Sequence, residues 1–363
     1  MNRNGRVAAG GGAYLLTYNL KIEESPILRL LDSIIDGALS RKASDIHCEP
    51  GEEGTRVRYR IDGVLQQAQV VPSFRHQPLV SMVKLLGGMD IAEKRIPQDG
   101  RAYVEKEGIR TPFRVSTMPT IAGEKVVLRI LSADTGQADL DRMGWDADSL
   151  TRYRRLYHGS YGLVLVTGPT GSGKTTTLYA TLAELNQPEK NIITLEDPVE
   201  YRMEGISQVA VNRKAGLTFV TGLRSILRQD PDVIMVGELR DEETMATALT
   251  AAETGHLVFG TLHTAGAVDT VHRILDVFPD REQQIRAQLA ASLAAVVSQK
   301  LLPRRDGRGR VGAYEVLIMT AALRNLIREG HTQQIRSFMQ TGSRLGMQTM
   351  EQAVEMLQRT GKI

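Results

Sequence analysis

Apolar residues recur at helical spacing from Ile27 to Leu39, through Leu28, Leu31, Ile34, Ile35 and Leu39, and predict the first ordered element of the chain. The segment from Arg56 to Leu65 (RVRYRIDGVL) instead alternates apolar and basic residues with period two and turns at Asp62 and Gly63, as an antiparallel hairpin does. Strand-like pieces follow at Ala102 to Val104, Thr111 to Thr117 and Lys125 to Leu131, so residues 26–131 read as an α+β domain. Residues 1–25 lack such a pattern and read as an N-terminal arm. Residues 132–145 (SADTGQADLDRMGW) are polar and rich in turn formers, which predicts an interdomain hinge.

From Tyr161 the pattern changes to short aliphatic runs separated by helical stretches, the signature of a parallel sheet covered by helices. The runs are Leu163 to Thr167, Asn191 to Leu195, Val233 to Val236 and Leu257 to Thr261. Residues 146–363 therefore read as a second, α/β domain. Beyond Val277 the chain is expected to be chiefly helical, closing with Thr349 to Arg359, where Met350, Val354 and Leu357 share a face.

A length of 363 residues suits two cores better than one. The composition, 42% hydrophobic and 24% charged, is that of an ordinary globular protein. A net charge of +3 does not by itself call for nucleic acid. No apolar run reaches the roughly 18 residues of a membrane span. Glycines 10–12 interrupt the apolar stretch after Arg3 and Arg6, which argues against a signal peptide and places the chain in the cytoplasm. Cys48 is the single cysteine, which excludes an intrachain disulfide and a cysteine-rich zinc site; its expected role is that of a small packed hydrophobe.

The sharpest chemical signal runs through Gly168, Pro169, Thr170, Gly171, Ser172, Gly173, Lys174 and Thr175, a full G-x-x-x-x-G-K-[ST] match between a strand and a helix, followed by Thr176. Glycines let main-chain N–H groups turn towards phosphates, and a helix N-terminus adds its positive dipole end to the same anion. Lys174 would reach the β- and γ-phosphates of ATP, and the Thr175 hydroxyl would ligate Mg²⁺. The run from Asp230 to Glu238 (DPDVIMVGE) delivers Glu238 to a strand end, where ligands of open α/β sheets sit, to hold the metal or polarise water. Glu196 ends the neighbouring strand in Ile193 to Tyr201 (ITLEDPVEY), and either glutamate suits the catalytic carboxylate. His256 and His263 flank a further strand in Thr254 to Thr264 (TGHLVFGTLHT). Their spacing excludes a helical metal pair, and the sheet context makes His256 a candidate nucleotide contact and His263 a candidate sensor of the γ-phosphate.

Taken together, these boxes resemble the secretion ATPases that power type IV pili and type II secretion, a branch of hexameric RecA-like motors. Residues 43–47 (ASDIH), 58–63 (RYRIDG) and 95–101 (RIPQDGR) are similar to that family's N-terminal domain. The resemblance implies a RecA-like P-loop ATPase domain behind a smaller α+β, PAS-like domain, a homohexameric ring, and arginines of the first domain reaching the nucleotide at Arg101, Arg114 and Arg129. It also implies an inner-membrane pilus platform as partner, with membrane association only through that partner.

Residues 322–330 (ALRNLIREG) are similar to the AIRNLIRE element of retraction ATPases, with Leu323 in place of isoleucine. Assembly-type relatives carry a four-cysteine zinc subdomain, where this chain crosses by a short basic loop from Leu302 to Gly312. The chain is also expected to lack the long extra N-terminal domain of many assembly ATPases. The resemblance therefore implies a pilus-retraction motor, with an assembly or type II secretion ATPase as the alternative. A DNA-translocating motor is a remote one, since no basic-aromatic strip for stacking a single strand is present.

Overall fold

A computed structural model of the chain describes residues 25–106, 109–131, 139–158, 161–307 and 309–363. Two compact units divide it, residues 1–133 and 134–363. The expected N-terminal arm lies outside the described residues except for Ser25, as do residues 132–138 of the expected hinge.

The first unit starts with α1 (Pro26–Ser40), which buries Leu31, Ile34, Ile35 and Ala38 on one stripe. Strands β1 (Asp45–Gly51), β2 (Gly54–Ile61) and β3 (Val64–Val71) lead into α2 (His76–Leu86), and β4 (Gln98–Lys106), β5 (Ile109–Thr120) and β6 (Gly123–Ile130) complete the unit. All six strands form one antiparallel sheet in the order β3-β2-β1-β6-β5-β4. Period-two alternation sends Ile46, Cys48, Val57, Tyr59, Val115, Val126 and Leu128 into a core shared with both helices. Burial pushes the Cys48 thiol up to about 12, so it packs as an inert hydrophobe.

The opposite face of this sheet is charged. Glu49 accepts hydrogen bonds from Arg58 at 2.8 Å and meets Lys125 at 2.8 Å. Burial acts to raise the Glu49 carboxyl, but the Arg58 and Lys125 hydrogen bonds outweigh it and hold the group at about 2. A carboxyl depressed in the folded state stabilises above its unfolded value and loses that contribution as pH falls through its folded one. Glu49→Gln is therefore expected to lower the melting temperature at neutral pH, with the deficit shrinking as pH drops from 4.5 towards 2. Thermal melts of both proteins along that acid limb check it.

The second unit opens with α3 (Ala147–His158), β7 (Gly162–Thr167), α4 (Lys174–Leu185), β8 (Ile192–Glu196) and β9 (Ser207–Ala210). It continues with α5 (Phe219–Ile226), β10 (Val233–Val236), α6 (Glu242–Glu253), β11 (Leu257–Leu262), α7 (Ala267–Asp276) and α8 (Glu282–Ser292). Strands β12 (Leu293–Pro303) and β13 (Arg310–Ile318) then precede α9 (Ala321–Glu329), α10 (Ile335–Thr341) and α11 (Met350–Arg359). The sheet runs β13-β12-β7-β11-β10-β8-β9, parallel throughout except for the antiparallel edge strand β13. Leu163 and Leu165 of β7 enter one core while Val164 and Val166 enter the other. Burial on both faces is why the four anticipated strands read as continuous aliphatic runs.

One expectation holds only in part. Beyond Val277 the helices α8, α9, α10 and α11 are present as expected, but residues 293–318 are not helical: they supply the β12–β13 hairpin, and β12 pairs with β7. Alanines 290, 291, 294 and 295 favour helix intrinsically, but pairing with β7 and the β-branched Val296 and Val297 decide for a strand. Within the expected hinge, Leu140 and Trp145 are packed in a core of the second unit, and Trp145 stacks between Tyr153 and Tyr314 at centroid distances of 5.0 and 3.9 Å. Leu323 and Ile327 of α9 are buried. Arg324 donates to the carbonyls of Ala290 and Ala291, capping the last turn of α8 beside the Leu293 N–H that meets the Leu289 carbonyl.

Candidate active site

Strand β7 ends at Thr167, and the chain turns through Gly168 to Gly173 before α4 starts at Lys174. At Gly168 the backbone takes φ +139°, and a Cβ there would stand 2.4 Å from the Gln299 carbonyl oxygen, so only glycine fits beside β12. Gly173 caps α4 in the left-handed region at φ +89°. Pro169, Thr170 and Gly171 are exposed, Ser172 is buried with no hydrogen-bond partner for its Oγ, and Thr175 and Thr176 lie on the accessible side of the first helical turn.

Lys174 folds back over this turn. Its Nζ donates to the carbonyls of Gly168 at 2.7 Å and Pro169 at 3.1 Å, and it lies 3.4 Å from Nδ1 of His263. Burial lowers its pKa, partly opposed by the charge of Glu238. On its other side the His263 ring meets Glu238, with Nε2 at 3.2 Å from Oε1. A lysine on Nδ1 and a carboxylate on Nε2 select the tautomer that carries its proton on Nε2. Glu238 is also paired with Arg240 at 2.6 Å.

Backbone bonds across the sheet set this convergence. Thr261 Oγ1 donates to the Gly237 carbonyl at 2.5 Å, and the Leu239 N–H donates to the Thr261 carbonyl at 3.0 Å. The residues flanking Glu238 are thus tied to β11 two positions before His263. Three separate sequence boxes meet at the carboxyl ends of parallel strands, where this architecture places ligands.

The two candidate glutamates differ sharply. Glu196 is 3% exposed, and its carboxylate accepts from Tyr179, from Thr194 at 2.5 Å and from Gln208 at 3.3 Å. Burial raises its pKa against those three hydrogen bonds. Glu238 instead looks onto Lys174 and His263.

His256 does not line this site, contrary to expectation. It precedes β11, its carbonyl accepts from Gly162 N–H at 3.0 Å, and its Nδ1 lies 3.0 Å from the Ala251 carbonyl. Gly162 starts β7 and the phosphate turn follows its end, so the length of the strand, roughly 20 Å, separates His256 from the loop.

In the first unit the three candidate arginines are neighbours. Arg101 pairs in register with Arg114, Arg114 with Arg129, Arg129 with Asp45, and Asp45 with Arg60, a row across five strands. Arg101, Arg114 and Arg129 are exposed, and the one acid in the row, Asp45, takes a 2.8 Å hydrogen bond from Arg129. Repelling cations held side by side on one face form a surface prepared for an anion.

The residues fit a magnesium nucleotide: a glycine turn, a helix start, a buried ammonium and an unpartnered buried hydroxyl. Among the described residues no group of three or more His, Cys, Asp or Glu side chains is arranged around a metal. Mg²⁺ at such sites needs only one or two protein oxygens beside phosphate and water, which Thr175 and Glu238 can supply. Gln299, Ser298 and Thr177 also border the loop; none of the three is singled out by the sequence, Thr177 because it lies beyond the motif and the other two because β12 was expected to be helical.

Residues 21–360 match the family model described as Type II/IV secretion system protein. The type II secretion system protein HxcR of Pseudomonas aeruginosa is 42% identical over 333 residues, covering 85% of this chain and 70% of that protein. The type IV pilus assembly ATPase PilB of Myxococcus xanthus is 45% identical over 283 residues, covering 78% of this chain and 49% of that protein, so the chain spans about half its length. Among solved structures, the pilus retraction motor PilT with bound ADP superposes with a TM-score of 0.71 at 38% identity, covering 91% of this chain and 93% of the other.

Proposed function

Since this chain belongs to the Type II/IV secretion system protein family, we propose that it is a Mg²⁺-dependent ATPase working as a hexameric ring motor. The observation that carries this reading is the meeting of Lys174, His263 and Glu238 at the phosphate turn. Main-chain N–H groups of the glycine turn and of the start of α4 cradle the triphosphate. Lys174 leaves the loop carbonyls for phosphate oxygens, and Glu238 orients the attacking water. His263, held between them, feels the loss of the γ-phosphate through Lys174 and passes it towards α7. When bound, the metal neutralises charge on the β- and γ-phosphates. The exposed row of Arg101, Arg114 and Arg129 gives the first unit a cationic face of its own, suited to an anion.

The finer reading is pilus retraction, at the cytoplasmic face of an inner membrane and acting on a membrane platform protein. It is supported by the RNLIRE stretch of α9, by the short β12–β13 connection, and by likeness to PilT along 91% of the chain. Identities of 42% and 45% to a type II secretion protein and a pilus assembly ATPase favour a second reading, in which the motor drives assembly or secretion. Among the described residues no helix is long and apolar enough to cross a membrane.

Deletion of the gene separates the two readings. Cells with surplus pili that no longer shorten support retraction; cells that lose pili or secretion support the second reading.

A further inference from the structure

We propose that Gln299, which lies outside every sequence box, is a positioning residue that sets the phosphate turn for nucleotide binding. The inference rests on the ATP reading of that turn.

Strand β12 runs beside β7, with Ser298 in register with Thr167, so Gln299 stands next to the first residue of the turn. Its side chain is 1% exposed. Nε2 donates to the Ser172 carbonyl at 2.6 Å, and Oε1 accepts from the Thr177 hydroxyl at 2.8 Å. One amide thus joins the back of the turn to the first turns of α4. Its neighbour Ser298 shares a 2.6 Å hydrogen bond with Thr167, which fixes the start of the turn from the same strand.

The effect on the cradle follows from peptide geometry. In a planar trans peptide the C=O and the following N–H point in opposite directions. Pulling the Ser172 carbonyl towards β12 aims the Gly173 N–H away from it, towards the side where phosphate sits at a helix start. Without Gln299 that peptide plane is free to turn, and the Ser172 carbonyl would then present a partial negative charge where an anion binds. Glutamine at this position therefore selects the loop conformation that binds phosphate.

Three variants test this, each measured by MgADP titration calorimetry, steady-state ATP kinetics and melting without nucleotide. Gln299→Leu keeps the bulk and removes both hydrogen bonds. It is expected to raise the ADP Kd and the ATP KM about tenfold, with a much smaller change in kcat, the size of one hydrogen bond to a charged ligand site. Gln299→Glu carries a carboxyl that, once protonated, donates to Ser172 and accepts from Thr177 as the amide does. Relative to wild type at the same pH, its affinity should exceed that of Gln299→Leu and improve as pH falls. Val297→Ala opens the apolar core two residues earlier on the strand and should lose stability while keeping nucleotide affinity.

Unchanged affinity in Gln299→Leu, an equal loss in Val297→Ala, or Gln299→Glu no better than Gln299→Leu at any pH overturns the assignment. A wild-type chain that binds no nucleotide would sink the ATP reading as well, so the two failures are distinguishable.

Discussion

Lys174→Gln is expected to end ATP turnover, lowering kcat by roughly 10³-fold or more, while the nucleotide-free protein stays folded and as stable as the parent. The wild-type ammonium is buried against the carbonyls of Gly168 and Pro169. Burial lowers its pKa, so the charge opposes folding below the lysine's unfolded value and this cost disappears as pH rises above it. Glutamine retains a donor for the carbonyls and removes the charge, which is what the transferring phosphoryl group needs. Phosphate release and melting of the apo protein, measured on the same preparation, check both halves. Wild-type turnover in this variant would end the assignment of the phosphate site.

Glu238→Gln is the second large effect: kcat should fall by about 10²–10³-fold with ADP affinity within a small factor of wild type. The carboxylate lies beside His263 and Arg240 rather than on the phosphate turn, so binding and hydrolysis should separate. Single-turnover hydrolysis alongside ADP titration distinguishes a lost chemical step from lost binding. A parallel fall in both would place Glu238 in the scaffold of the loop instead.

The phosphate turn was legible in the sequence because its letters are backbone requirements. Gly168 cannot carry a side chain beside β12, and Gly173 adopts a left-handed conformation. Strands β7, β8, β10 and β11 were legible because burial on both faces demands an unbroken aliphatic run, and the β2–β3 hairpin because its two faces differ. The arginine row was reached through family resemblance alone, since its register depends on turns whose lengths carry no chemical label.

Other features depend on tertiary context. Strand β12 hides in an alanine-rich stretch whose local preference is helical, and with it went Gln299 and Ser298. Glu196 and Glu238 occupy equivalent strand ends, and only the surroundings separate them: Tyr179, Thr194 and Gln208 close around one, Lys174 and His263 stand before the other. His256 and His263 look symmetrical on paper, yet a parallel strand has a phosphate end and a far end, and one histidine lies at each.

Trp145 is the chain's single tryptophan, and its indole is sandwiched between two tyrosine rings in the second unit. Intrinsic emission excited at the red edge therefore originates at one known spot, far in sequence from the β-meander of the first unit. Denaturation traces recorded by that emission follow the catalytic unit alone, while far-ultraviolet dichroism averages over both. The gap between the two traces is a label-free measure of how independently the halves come apart.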